Sequence, residues 1–194
     1  MALQRYIAFL SGLPVGAQTV SQEELTRLFR KLGFLAVETH GTTGNVAFET
    51  GPVGVTGALE AQISRHLKNS IDADIWTFIR TPKQLSGLVA EAPFSDDSES
   101  SRFIVFVAEA LDDRTVRRLN ARPNANEILY PRGLEIYWER KRVADGGSPV
   151  ALSNFIGSPA TVRSFSTITG LVAAYGRQPR HAGTQPTESE RSRQ

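Results

Sequence analysis

The 194-residue chain is predicted to be an α+β protein in which a β-α-β-β-α-β unit with an antiparallel sheet occurs twice, followed by one more helix. Three observations predict this. Short apolar runs of strand character alternate with segments of helical period, the order of elements restarts near residue 102, and a polar stretch, Ser95 to Ser101, separates the two series. The length agrees, since it suits two domains of about 80 to 100 residues, each with its own core.

Arg5 to Ser11 (RYIAFLS) is an apolar, aromatic-bearing run closed by Gly12-Leu13-Pro14, a strand and its turn. From Ser21 the period changes: Leu25, Leu28, Phe29 and Leu32 share one helical face, Ser21 is the N-cap, Glu24 completes a capping box and Gly33 is the stop. Phe34 to Thr39 and Asn45 to Thr50 are two strands joined by His40-Gly41-Thr42-Thr43-Gly44. Leu59, Ile63 and Leu67 mark a helix over Val55 to Lys68, and Ile75 to Arg80 (IWTFIR) is a fourth strand. A short helix through Leu85, Leu88 and Val89 follows Thr81-Pro82.

The second series opens with a strand at Arg102 to Ala108 and a helix capped by Asp112 that carries Val116 and Leu119. A hairpin of Glu127 to Tyr130 and Leu134 to Glu139 turns around Pro131-Arg132-Gly133. A helix near Pro149 to Ile156, a brief strand at Thr161 to Arg163 and a closing helix at Ser166 to Tyr175 complete it. A split β-α-β of this kind is the ferredoxin-like plait. The expected divisions are a first plait at 1–80, a linker with a short helix at 81–101, a second plait at 102–176 and a disordered tail at 177–194. In both leading strands the two faces are apolar, so the sheet faces away from the helices should be covered, by the other domain, the linker helix or a second subunit.

The charges exclude a broadly basic surface. Residues 1–80 carry 7 Lys/Arg against 7 Asp/Glu and residues 81–176 carry 11 against 11, so the net +2 comes from the Pro-, Ser- and Gln-rich segment after Gly176. Having no cysteine, the chain offers no disulfide, zinc ribbon or thiol nucleophile. No apolar run reaches the roughly 20 residues of a membrane span, and the opening MALQRYIAFLSGLP lacks a cleavage site, so a cytoplasmic protein is expected.

The segments YIAFLSGLPVGA, LGF, TGNVAF, Ala92-Pro93-Phe94 and PATVRSFSTITGLVA together resemble the domain-of-unknown-function 1697 family of bacterial proteins, over Tyr6 to about Ala173. The resemblance implies two ferredoxin-like domains and no established activity. Where the family reads Arg-Gly-Ile-Asn the chain has Ser11-Gly12-Leu13-Pro14, where it reads Arg-Asn-Trp the chain has Arg163-Ser164-Phe165, and a lysine position is Gly170. Of the polar positions the resemblance points to, Arg163 and Asn45 are kept.

The candidate chemistry is sparse. Gly41-Thr42-Thr43-Gly44 lacks the lysine and following helix of a phosphate loop and reads as a hairpin turn. His40 has no hydroxyl or carboxylate at a spacing that enforces pairing, and His66 reads as a helix-surface residue. Three histidines without H-x-x-x-H or H-x-H spacing predict no transition-metal site and no cofactor; Asp96, Asp97 and Glu99 form a solvated acidic linker. Arg163, among apolar neighbours, needs an anion or a structural partner. These features predict a non-catalytic protein, monomeric or homodimeric, that binds a small anionic ligand or a protein partner in the inter-domain cleft, with Arg163, Asn45, Ser11 and Ser164 lining it. Two alternatives stand beside it. The first half also resembles the RNA-recognition motif, with Phe9 as a stacking ring and Arg140, Lys141 and Arg142 as phosphate contacts, although Asn45, Val46 and Ala47 replace the other rings. An enzyme acting on a phosphorylated or carboxylate substrate is the third reading.

Overall fold

The computed structural model describes residues 3–14, 20–94, 100–121, 126–141 and 156–176. The first series comprises β1 (Gln4–Ser11), α1 (Gln22–Lys31), β2 (Leu35–His40), β3 (Asn45–Thr50), α2 (Gly57–Ile71), β4 (Trp76–Arg80) and α3 (Pro82–Ala90). The second comprises β5 (Ser100–Val107), α4 (Asp113–Asn120), β6 (Glu127–Arg132), β7 (Glu135–Lys141), β8 (Ala160–Ser164) and α5 (Phe165–Tyr175). They form two four-stranded antiparallel sheets, ordered β2-β3-β1-β4 and β6-β7-β5-β8. Numbered within its own series, each sheet has the same order. Most of the expected helix over Pro149 to Ile156, the linker acids Asp96, Asp97 and Glu99, and the segment after Gly176 lie outside the described residues.

Local chemistry explains most boundaries. Ser21 Oγ accepts the Glu24 amide and caps α1, but the Glu24 carboxylate turns to Arg27 instead of returning to the cap, so the expected box is half made. The full reciprocal box lies at Thr81–Gln84 at the head of α3. The hairpin turn also differs from expectation. Strand β6 runs on through Pro131 and Arg132, and the chain turns at Gly133, whose φ is 61°. β6 is an edge strand, where proline's missing N–H costs no ladder bond.

Alternation sorts the side chains of β1 between two cores. Tyr6, Ala8 and Leu10 pack with Leu28, Phe29, Ile63 and Leu67 beneath α1 and α2. Ile7 and Phe9 point the other way, onto Ile104, Phe106 and Tyr137 of the second sheet. On that sheet Val105, Val107, Ile136 and Trp138 face Leu119 of α4 and Ile156. The inner sheet faces therefore cover each other, with α3 and α5 completing the shared core through Leu85, Ile168 and Leu171. Leaving that surface in water would forfeit about 1.5 to 3 kcal/mol for each large side chain.

The trailing helices pack on each other between the sheets. α3 lies by β1 of its own sheet and also reaches the second, where the Tyr137 hydroxyl donates to Leu88 O at 3.1 Å and Arg132 pairs with Glu91 at 2.8 Å. α5 lies by β5 and β8 of its own sheet and also reaches the first, where the Tyr175 hydroxyl donates to Glu38 at 3.0 Å and Arg5 lies over the Tyr175 ring.

Candidate functional site

A cluster of polar side chains lies where the sheets meet, and a groove runs along the edge of β4. The cluster is built around Arg163, which the register of β8 places opposite Ile104, pointing into the seam. A guanidinium has five N–H donors and no acceptor. Nε donates to Asn45 Oδ1 at 2.5 Å, Nη1 to Thr161 Oγ1 at 2.6 Å and Val162 O at 2.8 Å, and Nη2 to Leu10 O and Thr43 O, both at 2.8 Å. Every donor is matched, and no acceptor is a carboxylate. Burial without a counter-charge pulls the guanidinium down to about 10, so it stays charged at neutral pH.

The neighbours are equally committed. Asn45 uses its amide nitrogen on His40 O at 2.9 Å and Thr43 Oγ1 at 3.0 Å, which holds the Gly41–Gly44 turn against the first sheet. Ser11 Oγ donates to Ala160 O at 3.0 Å, a second link between the halves. Ser164 caps α5 by accepting the Thr167 amide at 3.1 Å. The residues singled out in the sequence thus lie together, except that Ser164 serves its own helix. What they bind is one another.

Phe9 is fully buried and stacks on Phe106 at 4.5 Å and 12°, with the Arg163 guanidinium 5.6 Å from its centroid, so the ring is not presented to a nucleic-acid base. Arg140 lies 3.7 Å from Glu127, Glu139 is buried beside Arg102, Lys141 is exposed at the strand end, and Arg142 is outside the described residues. His40 sits beside α5, 3.6 Å from where a Cβ on Gly170 would stand. His66 is only partly exposed, and its Nε2 is buried with no partner among the described residues.

A residue that sequence reasoning missed occupies the equivalent place on the other sheet. Arg80 stands opposite Ile7 as Arg163 stands opposite Ile104. Its Nε donates to Glu135 at 2.6 Å, its Nη1 to the preceding carbonyl, Ile79 O, at 2.7 Å, and it lies 5.2 Å from the Phe106 centroid. Glu135 faces Phe106 in the ladder just as Asn45 faces Phe9. The seam therefore has a pseudo-two-fold axis between Phe9 and Phe106, carrying one Arg–Asn and one Arg–Glu connection. Its signal was present in the sequence: I-x-F at Ile7–Phe9 recurs at Ile104–Phe106, and Ile79-Arg80-Thr81 recurs as Val162-Arg163-Ser164, with the hydroxyl residue capping the next helix each time.

The groove, of about 610 Å³, runs between the flank of α2 from Gly57 to Lys68 and the outer edge of β4, and ends at Ala108 of the second half. Trp76, 52% exposed, forms part of its wall. Ser64 Oγ donates to Thr77 Oγ1 at 3.0 Å, and the Glu60 carboxylate accepts the Ile79 amide at 2.7 Å. Lys68 is paired with Asp74, whereas Arg65 has no partner among the described residues.

Residues 3–137 match the family described as "Protein of unknown function (DUF1697)". The chain belongs to this family. The match includes the first sheet, the groove and Arg80, and stops before Arg163 and the segment PATVRSFSTITGLVA. A solved structure of a conserved bacterial protein from Streptococcus pneumoniae is similar at a TM-score of 0.65 and 19% identity, over 91% of this chain and 100% of the other. That likeness extends the shared fold across both sheets. No curated protein matches the chain. No helix among the described residues is long and apolar enough to cross a membrane.

Proposed function

We propose that the chain is a non-catalytic binding protein built of two tandem ferredoxin-like units, residues 1–80 and 102–176, joined by 81–101, and that it binds a protein partner along the α2–β4 groove where the halves adjoin. The half-exposed Trp76 beside an open strand edge carries this reading. A large ring left in water at a concave surface is the kind of anchor that protein interfaces bury. The polar cluster at the seam supports it indirectly, because the Arg163 donors are spent on the fold and an anion binding there would have to displace one of five hydrogen bonds.

The test is an amide and indole N–H chemical-shift titration of the full chain with a panel of extended apolar hexapeptides. Shifts confined to Ile75, Trp76, Thr77 and the α2 flank are expected, and a panel that leaves these signals in place overturns the reading. Arg65, unpartnered among the described residues, favours a second reading, a small anion at the groove rim. Thermal stabilisation by phosphate or citrate that Arg65→Gln abolishes would support it.

A further inference from the structure

We infer that the groove's partner is a second copy of this chain, joined by antiparallel pairing of the two β4 edges about a two-fold axis at Trp76. The inference rests on the groove reading above and names its partner. The sheet edges are guarded unequally, and an exposed edge is a template for pairing unless something blunts it. Strand β2 is interrupted by a bulge between Leu35 and Glu38, with Ala36 at a φ of 45°. Strand β6 carries Pro131. Strands β4 (WTFIR) and β8 (ATVRS) have neither bulge nor proline, and of these two edges β4 is the one that presents an exposed ring, Trp76.

Hydrogen-bond geometry then fixes the register. The Ile79 amide points away from β1, because it donates to Glu60, and that end of the edge is closed. Backbone groups alternate along a strand, so Thr77 and, one step before the strand, Ile75 direct their N–H and C=O the same way as Ile79. An antiparallel pair centred on Trp76 sets Ile75 of each copy against Thr77 of the other, and each such pair exchanges both backbone bonds. Centring on Thr77 would instead set Ile75 against the closed Ile79. The chosen register also brings the two Trp76 rings together as a close cross-strand pair, removing from water the largest exposed aromatic surface of the described residues.

Charge on the face permits a like copy. Arg65 and Lys68 are balanced by Glu60 and Asp74 on the groove wall, so two copies do not meet as like-charged surfaces.

Light scattering or sedimentation equilibrium of the full chain from about 10 to 300 µM tests the inference, a range suited to weak self-association. A concentration-dependent dimer is expected. Thr77→Pro deletes the outward N–H without touching the β1 ladder, and Trp76→Lys, at an exposed site, puts like charges on the axis; each should weaken dimerisation by about tenfold or more. If Thr77→Pro does not fold by circular dichroism, Trp76→Lys carries the test alone. A wild-type chain that stays monomeric, or a dimer that both variants leave intact, overturns the inference. In a monomeric chain the hexapeptide titration separates the two readings: shifts at Ile75 to Thr77 leave the groove standing without self-pairing, and their absence removes both.

Discussion

Arg163 and Asn45, 118 positions apart, are joined by a 2.5 Å hydrogen bond that crosses from the second sheet to the first. The bond belongs to a saturated set: five donors, five neutral acceptors, almost no contact with solvent. Such a group stabilises only while the whole set is intact, because each buried acceptor stripped of its donor costs about 1 to 3 kcal/mol.

Arg163→Ala is therefore expected to lower the unfolding free energy by about 4 kcal/mol, and Arg163→Lys by about half as much, since an ammonium offers fewer donors in a different geometry. Urea unfolding followed by circular dichroism measures both. A lysine variant as stable as the parent would show that the fork geometry is unimportant.

The Phe9–Phe106 stack should behave as one unit. Either ring changed to alanine is expected to cost about 3 to 5 kcal/mol, and the double variant to fall short of the sum by about 1 kcal/mol. Strict additivity in the double-mutant cycle would contradict the stacked geometry.

Gly12 has a φ of +83°, and a Cβ placed there would stand 2.3 Å from Asp74 O. Gly12→Ala is expected to cost about 3 kcal/mol, whereas Gly51→Ala, where a Cβ meets nothing, should stay within about 0.5 kcal/mol of the parent. Thermal melts of the two variants side by side decide it.

Tyr175 responds to alkali. Burial, with the bond to Glu38 as a second cause, pushes its phenol up to about 12. The folded state thus holds the proton more tightly than the unfolded chain, whose tyrosines titrate near 10. Its stabilising contribution is complete below about pH 10 and is lost as the pH rises through about 12. Stability of the parent should fall more steeply across that window than that of Tyr175→Phe, and ultraviolet titration should show Tyr175 ionising late. Matching slopes would remove the assignment.

The strands, the capped helices and the burial of both faces of β1 were legible because each is written in local period and apolar count. Ile7 and Phe9 announce a second covering layer by being apolar where a two-layer plait would show water. The use of the polar cluster was not legible. Arg163 reads equally well as a ligand clamp or an internal brace, and the choice depends on where Leu10 O and Thr43 O stand, which only the packed sheets determine. Arg80 escaped notice for a related reason: an arginine that ends a strand usually reaches solvent, and this one turns inward because Glu135 waits on the opposite sheet. In the Glu139–Arg142 run the neighbours are set by β-pairing, which places Arg140 beside Glu127 and Glu139 beside Arg102, partners too distant in sequence to be read from the run itself.

The bridging of the two sheets by α3 and α5 bears on how the protein is made. The inner face of the first sheet is covered by the second sheet and by α5, residues Phe165 to Tyr175, which leave the ribosome long after the first sheet has been synthesised. During translation the nascent N-terminal half must wait with Ile7 and Phe9 uncovered, a window in which a chaperone or a neighbouring nascent chain competes for the same surface. Slowing elongation before residue 165 should lengthen that window and lower the soluble yield, even though the finished molecule is unchanged.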